Sequence, residues 1–581
     1  MRAPAVGGCS FPGDLARFGR TVAYLRPSQP LHRVRLRAQQ AGLRRFPEAA
    51  HWVLSGPDPA AAVGWPDEFC PVDALAPGRW PSLSDLRAGK IRLLGVVRIL
   101  DEDRGWEHAD EPRLWRFHLH YWDWAWGLAA EPDRLAAGAV FARLWRSWQA
   151  SARFGRGDCW HPYPTALRAW SWCGLHHDLI VGSDIEPAFL AGLSDHAGFL
   201  RRHLEYDVGG NHLIKDLKAL VGLAVFFADE RLLRRALRRL AGQMKTQVLA
   251  DGGHYERSPP YHCQVLADLI DVAGLLRAAG REPAGEITAA VDRMQHWLGA
   301  VLTPDGQVPL LNDGYPVDPE MLAALRPGPD PVTPARPLLV LPETGLVRAA
   351  AGGWHLLADV GPPCPRSLPG HAHADTLGCL VHAGTTPLLI DTGTSTYEPG
   401  PVRRHERSTA AHSTVEVDGA DSTEVWGVFR AGRRARVSGL VARADVSGIT
   451  CEAAHDGFRH LPGRPVHRRR WSLTGDELRV EDMITGRGRH EVIVRWQLAA
   501  DWAVQVARDT ALISGPEGTF AATVAASCPA RLAVQARPVA VGFGSTIDAP
   551  VLTCLVDTHL PVVVTTTWSR APGGADGKRM S

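Results

Sequence analysis

The spacing of apolar residues changes once along this chain, near residue 340, and that change limits the fold more than any other feature of its 581 residues. Before it, apolar positions recur every three or four residues over 135–152, 165–179, 187–206, 211–228, 231–249, 261–279 and 284–302, the period of helices that bury a face. Gly, Pro and Asp breaks between them predict short turns and antiparallel helical hairpins. Such hairpins close into a ring, an α/α toroid, or stay open as a bundle or solenoid. After the change, short runs at 346–349, 354–358, 377–382, 387–391, 413–417, 435–444, 466–473, 477–483 and 490–498 lie between Gly and Asp turns. That pattern predicts an antiparallel β-sandwich. The expected fold class is therefore α+β multidomain, an N-terminal α/α toroid followed by a C-terminal antiparallel β-sandwich. The boundaries place an accessory segment at 1–75, the toroid at 76–326, a Pro-rich linker at 327–342, the sandwich at 343–570 and a disordered tail at 571–581.

Composition narrows the function classes. Lys and Arg total 64 against 62 Asp and Glu, so no global basic field points to nucleic acid. The ten cysteines include no Cys-x-x-Cys pair, which fits neither a disulfide scaffold nor a zinc finger. No run of 18 apolar residues exists for a membrane-spanning helix, and the first 20 residues lack the apolar core of a signal peptide. The sequence thus reads as cytoplasmic, or as periplasmic if the true start lies elsewhere. Many of the 20 tryptophans fall between Trp106 and Trp172. Such residues line sugar clefts or fill helical cores, and the core accounts for more of them.

Chemistry-bearing residues gather in a few stretches. Gly370-His-Ala-His-Ala-Asp375 puts His371 and His373 two apart, on one face if the chain is extended there. Asp391 ends an apolar run and His412 precedes an alternating one, so neighbouring strands could bring His373, Asp391 and His412 together. Two imidazoles and a carboxylate suit one divalent ion, zinc by ligand type. In the helical half, Glu205 to His212 contains two glycines followed by Asn211 and His212, where Asn211 could simply cap the next helix. A second stretch, Gly252-Gly-His-Tyr-Glu-Arg-Ser-Pro-Pro-Tyr-His262, is denser in polar and aromatic groups than a connection requires. Trp160-His-Pro-Tyr-Pro-Thr-Ala-Leu-Arg168 is a third, weaker one. Arg403, Arg404 and Arg407 lie in a loop that suits a sulfated or carboxylated chain, or one in which they pair with Glu398 and Glu406.

Together these stretches resemble the heparinase II/III family of polysaccharide lyases. GHAHADTLG and PLLIDTGTSTYEPGPVRRHERSTAAHSTVEVDG look like its C-terminal signatures. GGNHLIKDLKAL, DGGHYERSPPYH, RFHLHYWDW and WHPYPTALRAW fit its helical half, so the resemblance spans about 105–570. It implies a toroid followed by a sandwich, and β-elimination on a uronate-containing, anionic polysaccharide or oligosaccharide. In that chemistry the uronate carboxylate is neutralised, a base takes the C5 proton and an acid protonates the O4 leaving group. Carried over by residue, Asn211 or His212 neutralises the carboxylate. Tyr261 is the acid, and also the base in a syn elimination; His212 or His371 is the base in an anti elimination. His373, Asp391 and His412 match the family's metal ligands, for one structural divalent metal. Glu205 and Arg257 are implied as substrate contacts, beside Arg403 and Arg407. Three rivals stand next to this reading. A metallohydrolase is disfavoured because Thr376 stands where its motif has His. A glycoside hydrolase would need paired carboxylates, for which Asp207, Asp251, Glu256 and Asp313 show no spacing. The third is a non-catalytic protein of exopolysaccharide or capsule assembly on a lyase scaffold.

Overall fold

The computed structural model describes residues 12–75, 80–100, 105–326 and 336–571. It has the expected architecture, an α/α toroid followed by an antiparallel β-sandwich. Burial separates the helices into two rings. Pro162–Leu179, Gly210–Phe226 and Pro259–Ala278 bury most of their positions, on all sides. Between them, Glu230–Gln247 buries only the stripe Leu233, Ala236, Leu240, Met244 and Gln247, and Gly285–Val301 is similarly one-sided. A helix apolar all round is enclosed, and a striped one faces water. The sequence therefore alternates inner and outer helices. The inner helices are alternate members of the series, so they run in the same direction. Their N-terminal ends, at Pro162, Gly210 and Pro259, lie at one end of the ring. Each of the three polar stretches of the helical half immediately precedes one of these starts.

The clustered tryptophans are core. Trp115, Trp122, Trp124, Trp126, Trp145, Trp148, Trp160, Trp170 and Trp172 are all buried in one cluster that extends to Leu325. Described residues of the N-terminal segment pack on the helical half, and they also hold the sandwich. Arg20 pairs with Glu424, and Thr21 Oγ1 accepts from Trp426 Nε1 at 3.1 Å. Gln29 Nε2 donates to the carbonyls of Asp207 and Ser367, one in each half.

Among the described residues the sandwich half holds three larger antiparallel sheets around one core and a two-stranded one, Val425–Trp426 with Arg430–Ala431. The first is a five-stranded meander: Leu338–Leu341, Leu346–Ala351, Trp354–Asp359, Cys379–Ala383 and Thr386–Leu389. The largest has eight strands and contains the hairpin Val466–Leu473 and Glu477–Thr485, in which Arg469 is opposite Asp482. The third has four strands in the order Ala530–Gly542, Ser545–His559, Arg489–Gln497 and Val415–Val417. The expected linker divides: 327–335 lies outside the described residues, and Leu338–Leu341 is an edge strand. The tail lies outside them from residue 572. His371 and His373 stand on the connection between Trp354–Asp359 and Cys379–Ala383, not on a strand as expected. The arginine-rich loop is the short helix Pro401–Arg407. Among the described residues no helix is long and apolar enough to cross a membrane.

Candidate active site

The site starts from two glycines. Gly209 and Gly210 both have positive φ, +73° and +58°, which only glycine adopts at no cost. A Cβ on Gly210 would lie 1.8 Å from Glu256 Oε1, so glycine is also what lets that carboxylate reach the helix start. Glu256 accepts from the Asn211 backbone N–H at 2.7 Å and from Asn211 Nδ2 at 2.9 Å. Gly209, not Asn211, occupies the N-cap position. The amide is instead held by Glu256, with one N–H of Nδ2 left over and Oδ1 buried without a partner. His212 Nδ1 lies 3.2 Å from Glu205 Oε2, and its ring lies 4.3 Å from that of Tyr163. Burial opposes the charge on Glu205, but His212, His161 and Arg33 together outweigh it and keep the carboxyl below its usual range. The imidazole therefore faces a carboxylate through Nδ1, which leaves Nε2 as its free nitrogen.

The sheet half supplies His371. Its Nε2 lies 3.0 Å from Glu256 Oε2 and its Nδ1 2.9 Å from Asp313 Oδ2. Burial alone would lower its pKa, but the hydrogen bonds and charges of both carboxylates raise it to about 9. At neutral pH this ring is an imidazolium. Burial likewise opposes ionisation of Glu256, yet His371 holds it at about 2. Asp313, bound also by Arg403, His373 and Thr394, is held well below the carboxylate range despite its burial. Tyr261 lies against His371 with ring centroids 3.8 Å apart, and its hydroxyl is 2.8 Å from that of Tyr397. Burial pushes the Tyr261 phenol well above its ordinary pKa, so it carries its proton.

Asn211, Tyr261 and His371 are therefore one cluster, joined through Glu256 and the Tyr261–His371 stack, and His212, next to Asn211 in the chain, is held by Glu205 and Tyr163 instead. His212 keeps 31% of its side chain exposed and His371 13%, so both rings reach solvent. Glu256 was visible in the sequence only as one of several unpaired carboxylates, although it lies inside a singled-out stretch. Asp313, between the last long helix and the linker, carried no local signal. Both bind the same imidazole and both are ionised, so neither can serve as the protonated acid of a hydrolase pair. Tyr397, Tyr163 and His161 join the site from stretches read only as signatures.

Three expected substrate contacts point elsewhere. Arg257, at φ +62°, donates to the carbonyls of Glu343 and Thr344 and ties the toroid to the sandwich. Arg403 is fully buried, doubly bonded to Asp313 and donating to the Val428 carbonyl. Arg407 is equally buried and donates to the carbonyls of Ala372, Gly427 and Arg430. All three are internal struts because the irregular loops around them expose backbone carbonyls that must be satisfied. Glu205, 4% exposed, serves His212.

The expected metal ligands are close but not converged. His373 and His412 have ring centroids 5.3 Å apart. His373 directs Nε2 at Asp313, and His412 lies 2.9 Å from Asp391 through Nδ1. Among the described residues no group of three or more His, Cys, Asp or Glu is arranged to hold a metal ion. The other ring nitrogens, His373 Nδ1 and His412 Nε2, are nevertheless buried without partners, as are both carboxylate oxygens of Asp375.

Comparison with known proteins bears on the same residues. Residues 117–327 match the family described as Heparinase II/III N-terminus, and residues 333–544 match Heparinase II/III-like, C-terminal. The chain belongs to the heparinase II/III-like family. Solved structures agree on the fold of this heparinase II/III-like protein. Heparinase III superimposes with a TM-score of 0.71 at 14% identity, covering 86% of this chain and 85% of that one. A heparan sulfate lyase mutant from Pedobacter heparinus gives 0.61 at 15%, covering 97% and 92%. A chondroitin AC lyase from Streptomyces coelicolor, solved with chondroitin sulphate, gives 0.52 at 14%, covering 93% and 82%. By sequence, FtsZ-localized protein C of Caulobacter vibrioides is 27% identical over 458 residues, 73% of this chain and 76% of that protein. Heparin-sulfate lyase of Pedobacter heparinus is 23% identical over 232 residues, 37% of this chain and 34% of the lyase.

Proposed function

We propose that this protein is a polysaccharide lyase that cleaves a uronate-containing anionic polysaccharide by β-elimination. The observation that carries the reading is the cluster of Asn211, Tyr261 and His371 around Glu256, with His212 next to Asn211 in the chain, in which Tyr261 keeps its proton and His371 is charged. The uronate carboxylate meets the remaining N–H of Asn211, at the N-terminal ends of parallel inner helices, near the imidazolium of His371, whose own two N–H groups stay on Glu256 and Asp313. Those ends carry partial positive charge. Charge that develops on the carboxylate as C5 loses its proton is stabilised there. His371 is too firmly protonated to be the base. His212, with Nδ1 on Glu205, offers Nε2 to take the C5 proton, and Tyr261 gives its phenolic proton to O4. A syn geometry, in which Tyr261 does both, requires it to begin as a phenolate, which its burial opposes. We also infer a structural divalent ion, zinc by ligand type, held by His373 and His412 with a carboxylate from Asp391 or Asp375. Support for it is the buried, unpartnered His373 Nδ1, His412 Nε2 and Asp375 oxygens. An ion bound there would cross-link the loops of the sandwich next to the groove.

One observation favours a second reading. FtsZ-localized protein C resembles this chain over most of both lengths, and its name describes a place in the cell rather than a reaction. A non-catalytic protein that localises with a partner, or that binds envelope or capsule polysaccharide without cutting it, is consistent with that relative. Incubation with heparan sulfate, chondroitin sulfate, hyaluronan and alginate separates the readings. Elimination creates an unsaturated uronate that absorbs in the ultraviolet, hydrolysis creates reducing ends without it, and binding alone creates neither.

A further inference from the structure

A cationic surface lies outside the candidate active site. The four-stranded sheet has a concavity of about 190 Å³ lined by Arg495, Arg531, Gln535, Arg537 and Thr553 among others. Alternate residues of a strand share a face, so Arg531, Ala533, Gln535 and Arg537 form a row along Ala530–Gly542, about 20 Å long at the usual rise per residue. Arg495 enters from two strands away, in register with Thr553 and, through it, Ala533. The charge of this row is poorly compensated. Glu416 lies 3.2 Å from Arg495. Arg537 Nη2 donates to the neutral Gln535 Oε1 at 2.9 Å. Among the described residues no carboxylate pairs with Arg531 or Arg537. His405 of the helix Pro401–Arg407 faces Arg495 and Arg537, and its Nε2 is buried without a partner.

The same hairpin reaches the catalytic groove. At its tip, Phe543 packs with ring centroids 5.3 Å from Tyr315 and 5.3 Å from Tyr397, the partner of Tyr261. The Gly544 N–H donates to the Ser395 carbonyl at 2.8 Å and fixes the tip in place. One end of the hairpin therefore packs on the candidate active site, and its stem, from about 20 to about 40 Å further at strand rise, carries Arg537 and Arg531.

We propose that this concavity is an accessory binding site for a stretch of the acidic polysaccharide that lies outside the catalytic groove. The guanidinium groups take its carboxylates or sulfates in forked pairs. The proposal rests on the groove being a site for an acidic polysaccharide, but not on the polysaccharide being cut. The test is binding of the full chain to heparan sulfate and to alginate, one sulfated and one only carboxylated, over a series of salt concentrations. Arg531→Glu with Arg537→Glu is compared with the parent and with Arg470→Glu, an exposed arginine of the eight-stranded sheet. The double variant should bind at least one polymer about tenfold more weakly, with a shallower salt dependence, because fewer counterions are released. Arg470→Glu should bind within about twofold of the parent, as expected of a remote surface charge. If the double variant does not fold, Arg531→Gln and Arg537→Gln taken singly should each weaken binding by a smaller factor. Parental affinity in the double variant, an equal loss in Arg470→Glu, or no binding of either polymer by the parent would each overturn the site. Ultraviolet product formation is scored separately. Binding through these arginines without product would remove the lyase reading and keep this one. Product formation with unaltered binding in the double variant would do the reverse.

Discussion

Two buried aspartates in this molecule have nearly the same neighbours and different uses. Asp313 is bonded by Arg403, His371 and His373. Asp482 is bonded by Arg469 Nε at 2.7 Å and by His467 Nε2 at 2.6 Å, with His455 3.1 Å behind His467. Neither carboxylate is exposed. The partners of Asp482 are sealed as well, and the free nitrogen of Arg469 donates to the carbonyls of Leu377 and Ser413, at 2.8 and 2.6 Å. Those carbonyls follow the His-rich loop and His412, so the Asp482 cluster is a strut that fixes the loops of the site. Around Asp313 one partner, His371, stays partly open and lies on Tyr261. On the proposed function, an ion cluster of nearly the same composition is scaffold where it is closed and serves chemistry where one ring faces solvent.

That contrast can be broken by substitution. Tyr261→Phe should lower elimination by about 10²–10⁴-fold, the usual contribution of a positioned acid or base, with the melting temperature unchanged. Asp482→Asn should do the opposite. It leaves Arg469 buried without its counter-charge and should cost about 3–5 kcal/mol of unfolding free energy, read by denaturant titration, with residual activity falling only with the folded fraction. Tyr397→Phe removes one hydrogen bond to Tyr261 and should cost about tenfold in kcat, roughly 1.4 kcal/mol of a hydrogen bond's worth, with KM little changed. If Asp482→Asn instead abolished turnover at full stability, the division between strut and site would be wrong.

Acid sharpens the same comparison by the smallest effect. Burial opposes the charge on Asp482, but Arg469 and His467 hold its pKa below the ordinary value. Its stabilisation is therefore complete above about pH 4, the unfolded-state value, and is lost as pH falls through the lower folded-state pKa. The difference in stability between the parent and Asp482→Asn should be constant above about pH 4 and shrink below it. A difference that instead grew on acidification would contradict the assignment of an ionised Asp482.

Much of this was legible in the sequence because it depends on period and on local chemistry. The helices at 165–179 and 211–228 and the strands at 466–473 and 490–498 lie within a few residues of their expected ends. What could not be read was which face meets which. His371 and His373 share Asp313, yet they sit on a loop, since Asp359 and Cys379 already bound the strands on either side. Arg403 and Arg407 looked like substrate ligands because a buried arginine and an exposed one have the same letter. Only the three-dimensional position of Asp313, 90 residues before Arg403, shows where the guanidinium goes. Tyr397 was one residue inside a quoted signature and gained meaning only from its 2.8 Å approach to Tyr261.

The central claim is that one groove, built by inner-helix ends and the His371 loop, eliminates across a uronate linkage. Ultraviolet absorbance during incubation of the purified chain with uronate polysaccharides tests it directly. The account predicts a rise with at least one polymer that disappears in Tyr261→Phe while binding persists. Binding by the parent chain with no rise on any of them, or reducing ends appearing without it, would contradict the account.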